Sequence, residues 1–233
     1  MSARAMYIRS INMQENSSIV VDNAQSVLSE FTGGTSTDVE MMIGVGLVKD
    51  SDAVFFQYMG DEAQPQALTM PVSGKPLTRL TNVTLSGLSI AEEIGEFKST
   101  KLNIYLRSSA GRTIMLTSGL TTIWSQCLLT CIAGLLKDPQ GLQTPFNLDS
   151  WKGNSKMRPC FAGIRVAGNK VTDDDMYTAL AEARADRNPE LTQRILRDLI
   201  DVVSKQLTTT NAVDAVDVQV DAPAVDQDAA QLF

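Results

Sequence analysis

The segment KLNIYLR, residues 101–107, alternates apolar and polar side chains as a half-buried β-strand does. Its polar face carries Tyr105 between Lys101 and Arg107. Bases of single strands stack on aromatic rings while nearby cations hold the backbone phosphates. The spacing therefore predicts a surface that binds single-stranded nucleic acid.

A second segment, CFAGIRV at residues 160–166, places Phe161 and Arg165 on one face, with Gly163 between them leaving room for close approach. The loop before it is basic and contains glycine, so it is suited to closing over a strand. The predicted nucleic-acid-binding residues are Lys101, Tyr105, Arg107, Arg112, Lys152, Lys156, Arg158, Phe161 and Arg165. The alternative is that Tyr105 and Phe161 cover a second apolar layer beneath an N-terminal hairpin, because outward aromatic side chains often only pack.

Other chemistries find little support in the sequence. The chain has no histidine, which removes Ser-His and Cys-His nucleophile pairs and the commonest zinc ligand. Cys127 and Cys131 share a helical face, but only Cys160 could join them, so we interpret them as core residues. Phosphate-loop, hydrolase and dinucleotide-binding motifs are missing from the sequence. We expect no enzymatic activity, no metal and no cofactor.

Charge is unevenly distributed along the chain. The formal net charge is −7, yet residues 75–170 carry twelve Lys/Arg against five Asp/Glu, and both flanking regions are acidic. A basic central region suggests a polyanionic partner, although an uneven solvated surface would give the same count.

The elements around these segments predict a fold class. A strand near residue 85 changes phase across Gly87, which indicates a bulge, and two alternating strands follow. The segment from Ile123 to Leu135 repeats apolar residues at helical spacing and predicts a buried helix, before two further strands. This is the element order of the OB-fold, so we predict a mainly β, OB-like barrel with one barrel helix and a C-terminal helical hairpin, α+β overall.

The flanks complete the predicted organisation. We expect a loosely held arm at residues 1–37, a β-hairpin opening the barrel domain at 38–170, and a linker or long loop at 60–78. Residues 171–206 predict two helices with Thr172 and Asn188 as N-caps. The predicted packing face of the second helix is Leu191, Ile195, Leu199 and Val202 or Val203.

The last segment, residues 207–233, is acidic, lacks Lys and Arg after residue 205, and ends in Leu-Phe, so we predict a disordered tail. A basic core with such a tail resembles the single-stranded DNA-binding proteins of bacteria and their phages. In that family the acidic tip and its last Phe dock on replication and repair proteins, and the tail competes with DNA for the basic groove. The matching positions here are Asp221, Asp226, Asp228 and Phe233, although the tip reads AAQLF instead of Asp-Asp-Ile-Pro-Phe.

Two functional hypotheses follow. The first is a non-catalytic single-stranded DNA binder, with RNA as an open alternative, that protects or anneals strands, recruits partners and forms a homo-oligomer. The second is a structural or assembly protein of a phage or plasmid system without nucleic-acid affinity. The apolar segment IWSQCLLTCIAGLL is too short to cross a bilayer, no signal-peptide pattern opens the chain, and the three cysteines are an odd number, so we expect a cytoplasmic protein without membrane association.

Overall fold

The computed structural model describes residues 41–49, 51–59, 64–94, 98–155 and 157–216. Within them the chain forms nine strands and three helices. The strands are β1 Met41–Val45, β2 Phe55–Met59, β3 Gln64–Ala67, β4 Arg79–Ile94, β5 Ser99–Ser108, β6 Thr113–Gly119, β7 Phe146–Lys152, β8 Cys160–Val166 and β9 Asn169–Val171. The helices are α1 Ile123–Leu135, α2 Asp174–Ala185 and α3 Pro189–Val216.

All nine strands belong to one mixed sheet with the order β3-β2-β1-β6-β5-β4-β7-β8-β9. β1 runs parallel to β6, and the other neighbours are antiparallel. The predicted α+β class and the predicted order of strands and helix between residues 83 and 166 are confirmed. The sheet is open, with β3 and β9 at its edges, so a closed barrel is not confirmed.

β4 is the longest strand of the sheet and pairs with two neighbours. The first residues of β4 pair with β7 and the rest pair with β5, with a register shift between Leu85 and Gly87 where the bulge was predicted. Two side-chain contacts also join segments that do not pair within the sheet. Lys152 donates to the backbone oxygen of Ser51, and Arg158 lies 2.6 Å from Asp52. The β1–β2 loop therefore contacts the β7–β8 region.

α1 forms as predicted and belongs to the core. Thr122 caps it, because its hydroxyl accepts a hydrogen bond from the Ser125 amide at 3.2 Å. Trp124 is 1% exposed, and its indole donates to the Ser150 hydroxyl of β7 at 3.0 Å. α1 is thereby joined to the sheet by a buried polar contact as well as by apolar packing.

The helical hairpin differs in detail from the prediction. The N-cap of α2 is Asp173 and not Thr172, since Asp173 accepts the Met176 amide at 2.7 Å. This hydrogen bond and the neighbouring Lys137 ammonium lower the pKa of Asp173. The Asn188 cap of α3 is confirmed by its bond to the Leu191 amide at 2.9 Å, with Pro189 at the first helical position.

The packing face of α3 is confirmed only in part. The buried residues are Leu196, Ile200, Val203 and Leu207, whereas Val202 is 53% exposed. Ile195 and Leu199 of the predicted face are half-buried against the same core, and Val203, one of the two predicted alternatives, is fully buried. The predicted stripe therefore lies at the edge of the observed packing face. α3 continues to Val216, ten residues past the predicted hairpin boundary.

Of the two remaining predictions for the flanking segments, the structure corrects one, and the other concerns residues that it does not describe. Residues 60–78 contain β3, which pairs with β2, and an isolated bridge between Thr69 and Pro76, so the segment is more regular than a linker. The predicted arm at residues 1–37 lies outside the described residues. Among the helices of the described segments, none combines the length and apolarity needed to span a membrane.

Candidate nucleic-acid interface

The alternation predicted for β5 is confirmed. Leu102, Ile104 and Leu106 are at most 1% exposed and belong to the core. The opposite face carries Lys101, Asn103, Tyr105 and Arg107, all partly or fully exposed. We call these four residues the β5 face.

The neighbouring strands extend this face on both sides of Tyr105. Tyr105 pairs with Gly87 of β4 on one side and with Met115 of β6 on the other. A Cβ atom at Gly87 would lie 3.3 Å from a ring carbon of Tyr105, so the ring leans over the glycine backbone. Met115 pairs in turn with Met42 of β1, whose side chain is 55% exposed.

The N-terminal hairpin lies beside the β5 face and not above it. β1 is hydrogen-bonded to β6 within the sheet, and β2 to β1. On the outer surface of this hairpin the Phe56 ring fills the space above Gly44, and Tyr58, 56% exposed, meets Phe56 edge-on at 5.2 Å. In the described part of the chain, the hairpin thus extends the surface that carries Tyr105.

The two cations of the β5 face have no counterion among the described residues. Neither Lys101 nor Arg107 forms an ion pair with a described residue. Lys101 lies four residues before Tyr105 and Arg107 two residues after it on the same face, so positive charge flanks the ring along the strand. This arrangement offers a stacking surface with cations for phosphates at both ends.

The second predicted segment forms a different surface. Trp151 of β7 pairs with Phe161 of β8, and the two rings are stacked at 5.9 Å with an interplanar angle of 18°. The space above Gly163 is filled by the Trp151 ring, 3.4 Å from the position a Cβ would take, and is not open as predicted.

The cations of this second surface are paired. Asp149 of β7 binds Arg165 at 3.1 Å and Arg79 of β4 on its other carboxylate oxygen. The Asp149 contact raises the pKa of Arg79. We call Trp151, Phe161, Arg165, Asp149 and Arg79 together the β7–β8 face. On this face Asp149 cancels one of the two positive charges of Arg79 and Arg165.

The structure separates the remaining predicted residues. Arg112 is 6% exposed and follows the same strand phase as the core residues Ile114 and Leu116, so its side chain lies away from the β5 face. Lys152 and Arg158 contact the β1–β2 loop instead of standing free. Lys156 and the tail residues Asp221, Asp226, Asp228 and Phe233 lie outside the described residues.

Sequence reasoning missed several members of these surfaces. Trp151 stands on the same face as Asn147 and Asp149 in the alternating segment FNLDSWK, so its outward direction was readable. The contact of Trp151 with Phe161 could not be predicted, because it depends on the register between β7 and β8. Met42, Met115 and Arg79 were missed for the same reason, since their neighbours come from other strands.

No metal or thiol chemistry emerges from the described residues. They contain no group of three or more His, Cys, Asp or Glu side chains placed to hold a metal ion. Burial raises the pKa of the Cys127, Cys131 and Cys160 thiols, which keeps them in the less nucleophilic neutral form.

The fold and the interface together define an α+β protein whose open mixed sheet presents an aromatic residue between two cations. Comparisons with protein-family models, with curated proteins and with solved structures give no match to this chain.

Proposed function

We propose that this protein binds single-stranded DNA without catalysis, through the β5 face. The observation that supports this most is Tyr105, partly exposed between Lys101 and Arg107, neither of which is neutralised by a described residue. Unpaired bases offer both faces for stacking on such a ring, whereas the bases of a duplex are already stacked on each other. RNA offers the same chemistry and is a competing ligand in the test below.

We also propose that the core is OB-like, in an opened form. The five strands β6-β5-β4-β7-β8 are consecutive in the sheet, and α1 lies between β6 and β7 in the chain. In the OB-fold the face of the second and third strands binds oligonucleotides, together with the loops after the first and fourth strands. In chain order these strands are β4, β5, β6, β7 and β8, so the second and third are β5 and β6, which carry Tyr105 and Met115.

The direct test is a binding series with single- and double-stranded oligonucleotides, DNA and RNA, across salt concentrations. We expect single-strand affinity to fall steeply with salt because phosphate contacts release counterions. Duplex of the same length should bind more weakly at each salt concentration. A salt-independent response, or equal affinity for duplex, contradicts the proposal.

The tail enters this proposal as the segment that recruits replication or repair proteins and competes with DNA. Its removal should start at residue 217, because residues up to Val216 are helical and Leu207 is only 6% exposed. Deleting 217–233 should tighten strand binding, most at low salt, since the tethered aspartates no longer compete for the cations. Unchanged or weaker affinity would contradict the competition while leaving the β5 face untouched.

The second candidate function is assembly through the same side of the sheet, and one observation favours it. Met42 and Tyr58 are more than half exposed on β1 and β2, and Met42 pairs with Met115 of β6, so the face also carries apolar surface suited to a protein contact. Under this alternative, a sizing column shows defined large oligomers that Met42→Glu dissociates, and oligonucleotides of either kind do not bind. A homo-oligomer that binds single strands is compatible with the first proposal.

A further inference from the structure

A cleft adjoins the Trp151–Phe161 part of the β7–β8 face. It has a volume of about 260 Å³ and is bordered by α1, α2 and the strands β7, β8 and β9. Trp151 and Phe161, the near-parallel pair, line one wall, and Cys127 and Leu180 contribute apolar surface from the helices. The volume is slightly below the range of about 300–1,000 Å³ typical of small-molecule sites, which suits a compact ligand.

Two cations stand at this cleft. Lys170 and Arg184 both line it, both are exposed, and both act electrostatically on the Cys127 thiol, so their charges lie near the same part of the cleft. Neither forms an ion pair with a described residue, and the described lining includes no acidic side chain. Arg184 uses its Nε to donate to the Leu180 carbonyl, which leaves its terminal nitrogens for an anion.

A buried amide adds a polar requirement. Gln126 is 6% exposed and lines the cleft, and it also borders a depression beside the α2–α3 turn. Its nitrogen donates to the Thr121 carbonyl at 2.7 Å, while its oxygen has no hydrogen-bond partner among the described residues. A buried acceptor without a partner is costly, so a ligand that draws this oxygen to the cleft surface and brings it an N–H donor gains affinity.

From these three features we propose that the cleft binds a single nucleotide. The phosphate lies between Lys170 and Arg184, the base packs against the Trp151–Phe161 wall, and a base N–H group donates to the Gln126 oxygen. A simple anion would leave the aromatic wall unused, and a nucleoside would leave the cations unused. Either a free nucleotide or the phosphorylated end of a strand supplies this chemistry. The site is distinct from the β5 face, which binds the interior of a strand under the proposed function.

Fluorescence of Trp151 provides the test on the full chain. Trp124 is 1% exposed and Trp151 is 46% exposed, so a ligand-dependent change reports mainly on the cleft. We expect saturable quenching by dAMP, and at least tenfold weaker responses to deoxyadenosine and to inorganic phosphate. The variant K170A/R184A should weaken dAMP binding about tenfold, as expected when two cations no longer bind the phosphate. Lys75→Ala, an exposed lysine outside the cleft, is the matched control.

Two results would overturn the proposal: no saturation by dAMP at millimolar concentration, or equal binding of dAMP by K170A/R184A and the control. Tyr105→Ala should leave dAMP binding unchanged, and closed circular single-stranded DNA tests the β5 face without any strand end. If dAMP does not bind but circular single-stranded DNA does, only the proposal for the cleft is rejected. Oligonucleotides with and without a 5′-phosphate then separate the two sources, because a strand-end site favours the phosphorylated form and a free-nucleotide site does not distinguish them.

Discussion

The β5 face and the β7–β8 face start from similar sequence patterns and end with different electrostatics. Each has an outward aromatic residue with cations at strand spacing, Tyr105 in one and Phe161 in the other. On the β7–β8 face, however, Asp149 holds Arg79 and Arg165, while Lys101 and Arg107 have no described counterion. The availability of a cation to a ligand is thus decided by residues on neighbouring strands and not by the segment that contains it.

This difference affects binding more than stability. Exposed ion pairs contribute roughly 0–1 kcal/mol to folding, and the guanidinium side chains of Arg79 and Arg165 are about half exposed. A phosphate that approaches these arginines must compete with a carboxylate whose side chain is only 18% exposed. No described carboxylate imposes such competition on the β5 face, so we expect the two faces to contribute unequally to strand affinity.

Tyr105→Ala should have the largest effect. Loss of a stacked base costs about 1–3 kcal/mol, which corresponds to a decrease in affinity of about 5- to 150-fold. The measurement is a titration with closed circular single-stranded DNA, so that strand ends do not contribute. Trp151→Ala is the matched aromatic control and should change the affinity by less than about twofold. If both variants lose affinity equally, the two faces contribute equally to strand binding, which contradicts the expected difference.

Paired charge substitutions should give the next largest effect. Lys101→Ala with Arg107→Ala should lower the salt dependence of strand binding by about 1.4 in the log–log slope, or about 0.7 for each phosphate that is no longer neutralised. Arg79→Ala with Arg165→Ala should change the slope much less, because Asp149 already neutralises part of their charge. Equal changes in slope for the two double variants would show that both sets of cations contact phosphates.

The orientation of side chains could be predicted from the sequence, whereas neighbours across strands could not. Period-two alternation determined which residues of β5 and β8 face the core, and the structure confirms both patterns. The Arg79–Asp149 contact joins residues 70 positions apart, and it depends on a register that no local pattern specifies. For the same reason the space above Gly163 was predicted to be open, whereas the Trp151 ring fills it.

Element order was more predictable than closure. Three strands, a helix and two strands follow from local periodicity, and all of them form. The pairing partner of β6 was not predictable, because β1 takes that place in parallel orientation from a distant part of the chain. The predicted N-cap of α2 was wrong by one residue, since Thr172 and Asp173 are both good capping residues and only the backbone geometry selects Asp173.

Asp149→Asn should make the cations of the β7–β8 face as available to phosphates as those of the β5 face. The substitution removes the negative charge that holds Arg79 and Arg165, so both arginines become available to phosphates. We expect strand affinity to rise about two- to fivefold at low salt, and the salt slope to steepen by up to about 1.4. Thermal unfolding should change little, as expected for exposed ion pairs. No gain in affinity would place the β7–β8 face away from the path of the strand.

The smallest effect should come from a matched pair of glycine substitutions. A Cβ at Gly87 would lie 3.3 Å from the Tyr105 ring, and a Cβ at Gly163 would lie 3.4 Å from the Trp151 ring. Neither glycine has a positive φ, so alanine fits both backbones and each change only displaces an aromatic ring by a few tenths of an ångström. Gly87→Ala should weaken binding to circular single-stranded DNA about twofold, and Gly163→Ala should leave it unchanged. Because the two changes crowd their rings similarly, equal losses would mean that general disturbance of the sheet, and not the position of Tyr105, controls strand affinity.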